Sequence, residues 1–127
     1  MEEDPRLKRQ QDYQQFHIGI YVTLATGVIA ATLFGKDAMP SCLLKPWPLA
    51  VAIGSLMGAG ICGGIMASKL PEANDYEKFL RTRIGVSLLG HHVRIMRPKN
   101  WEAFEHLFFW LAMVDLGGYA VWVAFHR

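Results

Sequence analysis

The sequence predicts an all-α membrane protein with three transmembrane helices and a basic amphipathic interfacial helix between the second and third. Three observations carry this. Residues 16–34 form a nineteen-residue run without Asp, Glu, Lys or Arg, and residues 48–68 form another of twenty-one. Residues 107–125 form a third run of nineteen, broken only by Asp115. Crossing about 30 Å of hydrocarbon takes roughly 20 apolar residues, so each run is long enough. Helices of a soluble bundle carry a polar stripe on every turn, and these runs have none.

The segment 1–15 precedes span one (16–34) and holds Arg6, Lys8 and Arg9 among the acids Glu2, Glu3 and Asp4. The long apolar run and acidic leader differ from a secretory signal, and the acids also differ from an organellar transit peptide. Lys and Arg counts set the expected orientation, because cytoplasmic flanks hold the excess. Segment 1–15 and loop 69–106 together carry ten, whereas the opposite flanks carry only Lys36, Lys45 and Arg127. The N-terminus is therefore expected on the cytoplasmic or matrix side and the C-terminus on the other.

Segment 35–47 reads as a tight outer hairpin, since Pro40 and Pro46 disfavour a continuous helix there. Trp47 is placed as an aromatic anchor at the outer boundary. Span two (48–68) contains Gly54-x-x-x-Gly58 and, offset, Gly60-x-x-x-Gly64. Small residues four apart let another helix approach closely, which in lipid is a main source of association. At about 100° per residue the two strips lie on nearly opposite sides of the helix. Span one offers a complement in Thr23, Gly27 and Ala31, which fills one of the faces and leaves the other for span three or a partner chain.

Loop 69–106 is long enough to have structure of its own. Tyr76, Phe79, Leu80, Ile84 and Leu88 fall at helical spacing with Lys78, Arg81 and Arg83 on other faces, predicting an amphipathic helix on the membrane surface that ends near Gly90. Such cations attract anionic headgroups, making the lipid bilayer the first expected partner. After Pro98, Asn100 suits an N-cap, and Glu102 and Glu105 complement the helix dipole at the entrance to span three.

Asp115 is the costliest residue of span three, at about 2.5–3.5 kcal/mol on insertion scales for a carboxylate near the bilayer centre. Tyr119 lies one turn on and is able to donate its hydroxyl. Matching depth from the same membrane face brings Thr23 and Thr26 of span one to the level of Asp115. These four form the expected intramembrane polar set.

His17 and His106 fall near the inner boundary on two different spans, the arrangement a bis-histidine haem requires. His91 and His92 lack the further ligands of a structural zinc site. Cys42 and Cys62 are about 20 Å apart along span two, too far to bond, and Cys62 suits apolar packing. No catalytic, metal or nucleotide motif is present, and no cofactor or nucleic-acid partner is expected. The chain is one membrane domain of 127 residues, and an independent enzyme is not expected. The function expected is an accessory or assembly subunit of a larger membrane complex, in a hetero-complex ahead of a homo-oligomer. The alternatives are a self-associating pore or membrane-perturbing effector, and a redox anchor holding haem or quinone.

Overall fold

The computed structural model describes residues 4–34, 46–88 and 91–125. The outer hairpin, apart from its last two residues, lies outside these, as do Cys42, Gly90 and His126. Three long helices dominate: α1 (Pro5–Phe34), α2 (Pro46–Lys69) and α4 (Pro98–Phe125). All three are long and apolar enough to cross a membrane. Between α2 and α4 lie a 3₁₀ turn (Leu70–Glu72), a short helix α3 (Tyr76–Arg81), and two strands, β1 (Ile84–Leu88) and β2 (His91–Met96).

Prolines set the helix starts. Pro5, Pro46 and Pro98 each open a long helix, where their missing N–H costs nothing and their fixed φ suits the first turn. Asp4 caps α1, its Oδ1 accepting from the Arg6 N–H at 3.0 Å. α4 begins two residues before the expected Asn100, whose N–H donates to Arg97 O at 3.0 Å within the first turn. α1 is 30 residues, about 45 Å at 1.5 Å per residue, longer than the roughly 30 Å of a bilayer's hydrocarbon core.

The helices run up, down and up. Residues early in α1 meet those late in α2 and early in α4, and α2 is the central element. Buried residues make up 39% of its apolar window, against 6% for α1 and 11% for α4. Its buried face follows Ala52, Ser55, Leu56, Ala59, Cys62, Gly63 and Met66, and the small residues among them let α1 and α4 approach closely. One apolar cluster joins Tyr21, Leu56, Ala59 and Ala112 at mid-bundle. A second joins Leu7, Cys62, Met66, Leu70, Phe79, Ile84 and Trp101 at the end where α1 and α4 begin.

The loop corrects the all-α expectation. The amphipathic helix stops after six residues at Arg81, and Thr82 is extended (φ −80°, ψ 138°). Ile84 and Leu88 then belong to an antiparallel β1–β2 hairpin instead of continuing helical turns. Ile84, Val86 and Leu88 also fit a period of two, and β-branched Ile84, Val86, Val93 and Ile95 favour a pleated pairing. The register shifts beside Gly85, which pairs with Arg94 while Ile84 pairs with Met96. A Cβ on Gly85 would collide with the Val93 carbonyl oxygen, so this position admits only glycine. Trp101 Nε1 donates to Ile84 O at 3.3 Å and ties the hairpin to the first turn of α4.

Candidate functional site

Gln14, His17 and Tyr21 recur at i, i+3 and i+7 along α1 and turn one polar stripe toward the other two helices. Gln14 and Glu105 are 0% exposed and Tyr21 is 2% exposed. Tyr21 Oη donates to Glu105 Oε1 at 2.8 Å, linking α1 to α4 inside the bundle. α2 makes room with Gly63: a Cβ there would lie 3.1 Å from Gln14 Oε1 and 3.4 Å from Glu105 Cδ. Gln14 Nε2 donates to the Met66 sulfur at 3.8 Å, and among the described residues Gln14 Oε1 and Glu105 Oε2 have no hydrogen-bond partner.

Beside this node the structure brings His17 and His106 together, ring centroids 6.2 Å apart. His17 Nδ1 lies 2.9 Å from Tyr13 O and His106 Nδ1 lies 2.7 Å from Glu102 O. A carbonyl only accepts, so each Nδ1 carries a hydrogen and each Nε2 of a neutral ring is an acceptor. Tyr13 Oη donates to His106 Nε2 at 2.9 Å, while its ring lies 3.9 Å from that of His17. Tyr13 therefore engages the very atom of His106 that a haem iron needs and fills the space beside His17. Among the described residues no group of three or more His, Cys, Asp and Glu is placed to hold a metal.

The second polar locus is Asp115. Its Oδ2 is buried with no hydrogen-bond partner among the described residues. Thr23 and Thr26 are exposed, and no hydrogen bond among the described residues joins them to Asp115. The Tyr119 ring stacks on Trp122 at 6.0 Å and 16°.

The glycines divide. A Cβ built on Gly58 would lie 3.2 Å from the Phe108 ring, whereas one built on Gly27, Gly54, Gly60 or Gly64 would meet nothing within 4 Å among the described residues. Of the basic residues expected at the membrane surface, Lys78 and Arg81 lie on α3 and Arg83 just after it, all exposed.

Sequence reasoning passed over Gln14, Tyr21 and Glu105. The i, i+7 spacing of Gln14 and Tyr21 was a usable signal, but Glu105 near a helix start is equally explained by the helix dipole. Compared with family models, curated proteins and solved structures, the chain finds no match.

Proposed function

We propose that this chain is a multi-pass accessory or assembly subunit of a larger membrane protein complex. The contrast between Glu105, which is buried, and Asp115, which is partly buried, carries the reading. Glu105 accepts the Tyr21 hydroxyl on one oxygen and leaves only the other unpartnered, while Asp115, with its Oδ2 buried in an apolar helix, has no hydrogen bond from Thr23, Thr26 or any other partner to that oxygen among the described residues. A membrane-embedded carboxyl is held where another group satisfies it, and a donor or cation from a neighbouring subunit supplies that group. The open glycines Gly54, Gly60 and Gly64 on α2 support close approach by such a neighbour. The apolar lengths of α1, α2 and α4 support insertion in the bilayer, and the ten-to-three distribution of Lys and Arg supports a cytoplasmic or matrix N-terminus.

Native mass spectrometry after mild detergent extraction tests the reading. Other polypeptides in fixed ratio, lost in Asp115→Leu while membrane insertion persists, are the expected result. A mass equal to several copies of this chain alone would overturn it in favour of a self-associating pore.

A further inference from the structure

At the end of the bundle where α2 stops, a cavity of about 460 Å³ opens between the close of α2, helix α3 and the hairpin. Four cations line it: Lys69, Lys78, Arg83 and Arg94. Two acids, Glu72 and Asp75, also reach it, but both are engaged. Glu72 pairs with Lys69 at 2.9 Å, and Asp75 Oδ1 accepts the Lys78 backbone N–H at 2.9 Å as the cap of α3. Lys78, Arg83 and Arg94 have no ion pair among the described residues. Apolar Val86 and Val93 line it as well, Val93 being 54% exposed, with Phe79 and Ile84 buried behind them.

Geometry makes this a pocket and not a row of surface charges. Trp101 anchors Ile84, and the Asp75 cap fixes α3, so the two walls are held independently. Gly85 faces Arg94 across the hairpin without a side chain, which keeps that wall open. Lys69 closes the apolar run of α2, so the cavity lies at the level where hydrocarbon gives way to headgroups.

We propose that this cavity is a binding site for the phosphate ester of an anionic phospholipid. Arg83, Arg94 and Lys78 take the phosphate oxygens, and Val86 and Val93 meet the glycerol and the first acyl carbons. Arginine's planar fork suits phosphate oxygens in pairs, and the mixed cation and apolar lining suits an amphiphile better than a free ion. The assignment rests on the reading that α1, α2 and α4 cross a bilayer.

The test is native mass spectrometry of the full chain released from phosphatidylcholine vesicles doped with phosphatidylglycerol, after flotation has confirmed insertion. The wild type is expected to retain phosphatidylglycerol in preference to phosphatidylcholine. Arg83→Gln with Arg94→Gln should lower retention by about tenfold or more, from roughly fivefold per cation. Arg83→Lys with Arg94→Lys keeps the charge and controls for folding, and should retain more than the glutamine pair. Arg81→Gln, a cation of α3 outside the cavity, should lower retention by no more than the roughly fivefold of one surface charge, well short of the glutamine pair. Equal losses in Arg81→Gln and the cavity variants would mean diffuse surface attraction and overturn the site, as would undiminished retention in the glutamine pair. Titration with soluble glycerol phosphate separates the ligand sources: saturable binding of it, with no lipid retained, overturns the lipid assignment. Failure to float tells against the bilayer reading instead.

Discussion

Tyr21 donates its hydroxyl to Glu105 at 2.8 Å across 84 residues of sequence, and the two side chains are almost wholly withdrawn from solvent. This bond, with Gln14 packed beside it over Gly63, fixes how α1 and α4 are rotated about α2. A slip of either helix by one residue turns the stripe away and leaves a carboxyl buried with fewer donors still.

Tyr21→Phe removes the donor and leaves the acceptor. The expected cost is about 1–3 kcal/mol, seen as a lower unfolding midpoint in detergent micelles. Adding Glu105→Leu to that variant should recover part of the loss, because both polar partners are then gone. Additive losses in the double variant would contradict the coupling.

Gly63→Ala and Gly60→Ala should behave oppositely in the isolated chain. A methyl on Gly63 meets Gln14 at 3.1 Å and Ile18 at 3.3 Å, whereas Gly60 faces open space. The first is expected to destabilise, and the second to be neutral or to stabilise by up to about 1 kcal/mol through helix propensity. Thermal unfolding of the two variants, measured side by side, checks this. If Gly60→Ala also strips co-purifying subunits without losing stability, the open face is the contact surface.

Gly85→Ala should break the hairpin, since the added carbon collides with the Val93 carbonyl. The expected readout is faster proteolysis within residues 84–96 and a shifted Trp101 emission, because the indole N–H loses its place on Ile84. The helices should persist by circular dichroism.

Arg6 clasps the start of α1 to α3. It pairs with Asp4 at 2.9 Å and Glu77 at 3.3 Å, and its guanidinium carbon sits 5.1 Å from the Tyr76 ring centroid. The side-chain hydrogen bond from Arg6 holds the Asp4 carboxyl down, from the ordinary 3.8 to about 2. The folded value is depressed, so this contribution is fully present above 3.8 and is lost as pH falls through about 2. NMR titration of the Asp4 carboxyl carbon checks the value, and Arg6→Gln should move it back toward 3.8.

Much of the scaffold was legible because membrane-length helices announce themselves by length and composition alone. The prolines, the absence of charge and the burial-free rule of lipid packing act locally, so three long apolar helices followed from the sequence. The loop was not legible in the same way. Ile84 and Leu88 satisfy a period of four as well as a period of two, and the choice was made by backbone pairing with residues 91–96 and by the Trp101 anchor.

The number, length and apolar character of the helices, and the cost of a carboxylate at Asp115, are written in the order of residues alone. Packing in three dimensions sets which glycines are crowded, that Tyr21 meets Glu105, and that Lys78, Arg83 and Arg94 line one cavity. The reason is physical: apolar length is a property of a segment, whereas the rotation of one helix against another depends on packing between residues far apart in the chain.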